Sequence, residues 1–262
     1  MDIGKKIRLE RILDRNTGNA IIVPMDQGMA FGPVPGLNDL VDAVNEVTAG
    51  GATAVMMHKG MVCRGHRGSG HDVGLILHLS ASTSHAPDPS LERRVSSVEE
   101  AVRMGADAVS VRLAIGVEGE QDMLASLGAV SEECGYWGMP LVAMATPSWK
   151  GAGKYDPEAI AHCARVVAEL GADIVRVDYT GDQDSFREVV IGAGVPVVIT
   201  GGPKMGSDEE ILTTVHDAME AGCHGVSIGR NVFQHKDVQG MTRAVSEIVM
   251  LGSDVEESMK YL

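Results

Sequence analysis

Gly105-Ala106-Asp107-Ala108-Val109 and Gly171-Ala172-Asp173-Ile174-Val175 are near copies of one junction, in which a helical stretch ends at glycine and a β-branched run begins almost at once. Gly50-Gly51-Ala52-Thr53-Ala54-Val55 and Gly222-Cys223-His224-Gly225-Val226 vary the same theme. Glycine tolerates the left-handed conformation that ends a helix and turns the chain into a strand. Four such joints, about 50 to 65 residues apart, fit units of two strand–helix repeats.

Working outward from these joints, eight short apolar runs alternate with amphipathic stretches. They are Ala20 to Asp26, Ala52 to Lys59, Leu75 to Thr83, Ala108 to Gly116, Leu141 to Pro147, Asp173 to Tyr179, Pro196 to Thr200 and Gly225 to Gly229. Ile21-Ile22-Val23 and Val197-Val198-Ile199 are apolar without interruption, as strands covered on both faces must be. An open doubly wound sheet would announce itself by a GxGxxG turn after its first strand. Here that strand runs into Pro24-Met25-Asp26-Gln27-Gly28. The expected fold is therefore α/β, a single-domain (β/α)8 TIM barrel over residues 1–262.

Composition narrows the partners. The chain has 262 residues, 44% of them hydrophobic, enough for one large core. A net charge of −14 disfavours nucleic acid and anionic membrane, which require clustered cations, so an anion must be held in a local pocket. No apolar run reaches membrane-spanning length, and Met1-Asp2-Ile3-Gly4-Lys5-Lys6 lacks the apolar stretch of a signal peptide. Cys63, Cys134, Cys163 and Cys223 are widely spaced, with no CxxC pair, as reduced thiols would be. A cytoplasmic protein without cofactor is expected.

Barrel active sites lie at strand C-termini, so the polar residues that end each run are the candidates. These are Asp26, His58, Lys59, His78, Ser82, Arg112, Thr146, Arg176, Asp178, Lys204 and Arg230. Arg176 and Asp178 are two apart, face the same side of their strand, and are expected to form an ion pair in the barrel mouth. After the seventh run comes Gly201-Gly202-Pro203-Lys204, and after the eighth Gly229-Arg230-Asn231-Val232-Phe233. Glycines there admit backbone N–H groups to a phosphate, a short helix adds its positive end, and Lys204 and Arg230 add charge. The stretches 84–90 and 147–157 read as long loops on this face.

Taken in order, several segments resemble one family. They are Ile22-Val23-Pro24-Met25-Asp26-Gln27-Gly28, His58-Lys59-Gly60, His78-Leu79-Ser80-Ala81-Ser82-Thr83, Tyr179-Thr180-Gly181-Asp182, Gly201-Gly202-Pro203-Lys204 and Ser227-Ile228-Gly229-Arg230-Asn231-Val232-Phe233-Gln234-His235. The chain resembles the archaeal class I fructose-bisphosphate aldolases and the 2-amino-3,7-dideoxy-D-threo-hept-6-ulosonate synthases. The resemblance implies a barrel, a phosphorylated keto-sugar or related substrate, homo-oligomers of up to ten subunits, Asp26 as acid/base and a Schiff-base lysine on the sixth strand. At the position matching that lysine stands Arg176, and Thr146 stands where the family carries a tyrosine. Arg112 and Ala114 also depart from the expected pattern. A guanidinium stays protonated and is a poor nucleophile, so it cannot form the imine.

Four functions compete. In the first, an aldolase-family enzyme works without a sixth-strand imine: Arg176 and Arg112 stabilise an enolate or carboxylate, Asp26 moves the proton, and Thr146 and Asp178 complete the centre, with His78, Gly201, Gly202, Lys204, Gly229 and Arg230 binding substrate. In the second, Lys59 or Lys204 supplies the imine. In the third, a metal replaces it, because His58, Cys63, His66, His71, His78 and His85 lie close in sequence, although the spacing matches no compact zinc motif. In the fourth, the chain is a silent ligand-binding homologue.

Overall fold

The computed structural model describes residues 2–65 and 72–262. Eight strands form the barrel wall: β1 (Ala20–Pro24), β2 (Ala54–Met57), β3 (Gly74–His78), β4 (Ala108–Ile115), β5 (Leu141–Pro147), β6 (Ile174–Val177), β7 (Val197–Thr200) and β8 (Gly225–Ser227). Each pairs in parallel with its neighbours in sequence, and β8 closes on β1 through Ala20 opposite Gly225. Helices lie between successive strands, so the alternation read from the sequence is the observed fold. The strands are shorter than the apolar runs at several ends; β2 stops at Met57, and Lys59 already opens the helix Lys59–Gly65.

All four junction glycines, Gly51, Gly105, Gly171 and Gly222, have φ between 76° and 104°. The aspartates that follow two of them have matching jobs. Asp107 accepts the Leu75 N–H and pairs with the Arg11 guanidinium at 2.6 Å. Asp173 accepts the Leu141 N–H and pairs with the Lys5 ammonium at 2.7 Å. Asp107 satisfies the second amide of β3 and Asp173 the first of β5, and each ties the N-terminal segment to the underside of the barrel. Helices begin on Asp39, Ser97, Asp156, Asp182, Ser207 and Asp237, whose side chains each accept a first-turn N–H.

Strand periodicity of two divides the core in two. Ala20, Ile22, Ala54, Met56, Ile76, Ala108, Val142, Ile174 and Val198 fill the lumen, with Ile12 sealing its floor. The alternate residues, such as Ile21, Val55, Leu75, Val109, Val175 and Val197, pack outward under the helices. Continuing each inward-facing series by two or four residues leaves hydrocarbon behind and reaches Asp26, His58, His78, Arg112, Thr146, Arg176, Asp178 and Thr200. The active mouth is thus the next layer of the barrel filling, made polar.

Candidate active site

A cavity of about 380 Å³ opens at the C-terminal ends of the strands. Its lining contains ten of the expected site residues: Asp26, His78, Arg112, Thr146, Arg176, Asp178, Gly201, Gly202, Gly229 and Arg230. His58 and Ser82 join them.

The centre is Arg176. It rises from β6 on the barrel axis, only 7% exposed, and one guanidinium N–H points to the Met56 sulfur at 3.4 Å. Its Nε finds no acceptor. Burial pulls the guanidinium pKa below its ordinary value; nearby Asp26 pulls it back up, and Arg112 opposes it again. The group remains a cation at neutral pH, as arginine does in proteins. The expected contact with Asp178 is not made as an ion pair. Thr200 on β7 donates its hydroxyl to Asp178, so the carboxylate is held by the neighbouring strand. The two residues do share a strand face, but the carboxylate turned sideways to a closer donor.

Opposite Arg176 is a buried polar cluster. His78 Nδ1 meets the Ser110 hydroxyl at 2.6 Å, and His78 Nε2 lies 3.3 Å from Glu92. Glu92 also accepts from Ser80 at 2.6 Å and faces Arg112 at 3.5 Å. The His58 ring stands edge-on to His78 with centroids 5.2 Å apart. Burial, then the adjacent His78, pushes the His58 imidazole below its ordinary pKa, keeping it neutral.

Glu92 is absent from the strand-end candidates because it arrives on the return arm of a small hairpin, Ser80–Ala81 paired with Arg93–Arg94, that follows β3. Burial alone would raise its pKa. The hydrogen bond and charge of His78, the Ser80 hydroxyl and Arg112 outweigh that and bring it to about 2. A carboxyl whose folded pKa lies below its ordinary 4.5 contributes stability above that ordinary value and loses it as pH falls toward 2. Between pH 5 and 2, Glu92→Gln is therefore expected to lose less stability than the wild type, by about 2 to 3 kcal/mol. Urea unfolding at stepped pH checks this, and parallel curves for the two proteins would refute it.

The loops after β7 and β8 are joined by one asparagine. Asn231 donates to the carbonyls of Gly201 and Pro203 and accepts the Met205 N–H at 2.7 Å, fixing the turn after β7. Arg230 donates to the Gly202 carbonyl at 3.0 Å. At Gly229 a Cβ would approach the Pro24 carbonyl to 2.8 Å, so only glycine lets this turn sit against β1. Lys204 is drawn off the cavity, its ammonium 2.6 Å from the Gln234 carbonyl. The cation on the rim is instead Lys154, from the long loop after β5; the sequence offered no signal for it beyond the loop itself.

Lys59 also lies off the mouth. Its ammonium, 44% exposed, holds the Val95 carbonyl at 2.9 Å and Glu100 at 3.1 Å. Of the proposed metal group, His66 and His71 fall outside the described residues, Cys63 is exposed, and among the described residues no three His, Cys, Asp or Glu side chains converge on one point.

Comparison with known proteins agrees with the geometry. Residues 20–235 match the family model "DeoC/LacD family aldolase". The chain is 40% identical over 258 residues to a 2-amino-3,7-dideoxy-D-threo-hept-6-ulosonate synthase of Halobacterium salinarum, covering 98% of this chain and 96% of that protein. It is 39% identical over 246 residues to a 2-amino-4,5-dihydroxy-6-oxo-7-(phosphonooxy)heptanoate synthase of Streptomyces griseus, covering 94% and 90%. An archaeal fructose-1,6-bisphosphate aldolase, solved with its catalytic lysine covalently bound to the carbinolamine intermediate, superposes with a TM-score of 0.85 at 33% identity over 94% of this chain and 99% of that one. A closed parallel barrel with a polar mouth, matched over nearly its whole length, establishes that this chain is an aldolase-family enzyme and belongs to the DeoC/LacD family.

Proposed function

We propose that this enzyme makes or breaks a carbon–carbon bond in a phosphorylated keto compound without forming an imine on β6. The carrying observation is Arg176 itself: a buried cation on the barrel axis, at the position that the resemblance gives to the Schiff-base lysine. In the cleavage direction Asp26 takes the proton of the substrate hydroxyl. The electron pair of the breaking carbon–carbon bond passes to the carbonyl oxygen, and Arg176 and Arg112 hold the resulting enolate. The proton then returns to the enolate carbon. Asp178, oriented by Thr200, and Thr146 position the substrate beside them. The phosphate rests on the Gly201-Gly202 and Gly229-Arg230 turns, with Lys154 at the rim.

The free cysteines support a reducing, cytoplasmic setting. Exposed Ile3, Ile7, Tyr136 and Trp137 support the homo-oligomer that the resemblance implies.

Borohydride trapping with dihydroxyacetone phosphate tests the proposal. The wild type is expected to give no reduced adduct on any lysine. Arg176→Lys combined with Thr146→Tyr is expected to trap more than either change alone, since the amine needs an acidic hydroxyl beside it. Peptide mapping of a wild-type adduct to Lys59, Lys154 or Lys204 would overturn this reading in favour of a relocated imine.

A further inference from the structure

A second cavity, of about 1050 Å³, lies beside the mouth between the helices Gly28–Phe31, Leu40–Ala49 and Lys59–Gly65. Its wall is hydrocarbon and thioether: Met29, Val34, Leu37, Leu40, Met61 and Val95. Met29, Met61 and Val95 are exposed, and exposed apolar groups gathered around one hollow mark a binding groove rather than scattered surface hydrocarbon. A Cβ built at Gly28, Gly32 or Gly60 would meet none of the described atoms within 4 Å, so the backbone around the hollow also faces open space. The polar groups here are spent or balanced. Lys59 holds the Val95 carbonyl and Glu100, Asp39 caps its helix, and the exposed Arg64 is the remaining cation among the described lining residues. Asp26, Met29 and His58 line this chamber and the mouth alike. Asp26 follows β1, which stands between β8 and β2 in the ring. The turns proposed for phosphate follow β7 and β8, and the chamber opens on the other side, past β1 and β2.

We propose that this chamber holds the aldehyde half of the aldol pair, and that the aldehyde carries an uncharged, apolar alkyl or aryl chain. The inference rests on the carbon–carbon reading above. Asp26 stands at the carbon whose hydroxyl it deprotonates, so one half of the substrate runs from that carbon toward the phosphate turns and the other half enters the chamber. In the condensation direction Asp26 takes the α-proton of the phosphorylated donor. The electron pair of the resulting enolate forms the new bond to the aldehyde carbon, the C=O π-bond opens, and the aldehyde oxygen takes the proton from Asp26. The product contains every atom of both reactants. A second phosphate would need a cation surplus at this end, and Lys59 and Arg64 are matched by Asp26 and Asp39. Met29 and Met61 are unbranched thioethers that shape themselves to an apolar guest. Burial against such a wall selects chain length by about fourfold per methylene.

Ligand-observed NMR on the full-length protein tests the chamber with unreactive alcohols in place of aldehydes. Affinity is expected to rise about two- to fourfold per methylene from butan-1-ol through pentan-1-ol to hexan-1-ol, and 1,2,6-hexanetriol is expected to bind about tenfold more weakly than hexan-1-ol. Met61→Asp and Val95→Asp, at exposed positions where substitution is tolerated, are each expected to weaken hexan-1-ol by about fivefold or more while inorganic phosphate keeps its affinity. Circular dichroism controls for folding, and either variant serves if the other fails. A second measurement joins the chamber to the chemistry. With dihydroxyacetone phosphate as donor, hexanal is expected to give the aldol adduct, at the sum of the two masses, about tenfold faster than glyceraldehyde 3-phosphate does, and Met61→Asp is expected to narrow that ratio. No rise with chain length, a rise untouched by every folded variant, or faster reaction of glyceraldehyde 3-phosphate would each overturn the proposal. If neither aldehyde gives an adduct while the alcohols bind as expected, the carbon–carbon reading falls and the apolar site stands.

Discussion

Gly225→Val is expected to destabilise the barrel by at least about 4 kcal/mol, the size of effect reserved for severe steric and backbone disruption. Gly225 has φ 116° and lies opposite Ala20 at the seam where β8 closes on β1. A Cβ there would fall 2.0 Å from the Ala20 carbonyl oxygen and 2.7 Å from its nitrogen. Both atoms are backbone, so no side-chain rotation relieves the clash, and a β-branched residue at positive φ adds strain of its own. The seam cannot move apart without loosening the ladder that makes the sheet a barrel. For a domain of this size the loss corresponds to a fall in melting temperature of roughly 8 to 16 °C, read by scanning calorimetry. A variant that melts within 2 °C or so of the wild type would show that the closure is more forgiving than its geometry.

Arg230→Ala is expected to weaken binding of phosphate-bearing ligands by about 2 to 5 kcal/mol, the range for removing one member of a desolvated charge pair. Arg230 opens the short helix Arg230–Phe233, and its guanidinium donates to the Gly202 carbonyl, so it brings charge to the mouth and also ties the turn after β8 to the turn after β7. Titration with inorganic phosphate and with dihydroxyacetone phosphate measures the loss, and a thermal melt controls for folding. Equal affinity in a folded Arg230→Ala protein would move the anion site away from these turns. Increasing salt should weaken wild-type binding as well, because part of the attraction is a screened charge interaction at a half-open mouth.

The barrel was readable because its signals are local and repeated. Glycine at a helix end and an unbroken apolar run each have a single-residue cause, and four copies of the junction agree with one another. Much of the mouth was readable for the same reason, since alternation along a strand places Asp26, Arg112, Thr146 and Arg176 on the lumen side as soon as Ile22, Ala108, Val142 and Ile174 are there. What failed were features decided by partners distant in sequence. Lys59 looked like a strand end, but β2 stops two residues sooner and the side chain swings to Val95 and Glu100. Lys204 is captured by the Gln234 carbonyl thirty residues on. Glu92 and Lys154 enter from a hairpin and a long loop, where no periodicity says which residue will point inward. Arg176 and Asp178 were correctly placed on one face, yet the donor that claims Asp178 comes from the next strand.

Asn231 grips Gly201, Pro203 and Met205 from outside the layered lumen, so the proposed phosphate handle has bracing of its own in addition to the strands that carry it. The two halves of the site are therefore separately heritable. A descendant can exchange the side chains of one ring across the mouth, lysine for arginine or tyrosine for threonine, while the handle, the strands and the hydrocarbon beneath stay as they were. Chemistry in such a scaffold changes the way a tool head changes on a fixed grip, and lineages that share the grip should be expected to differ in the bond they work on more readily than in the end by which they hold it.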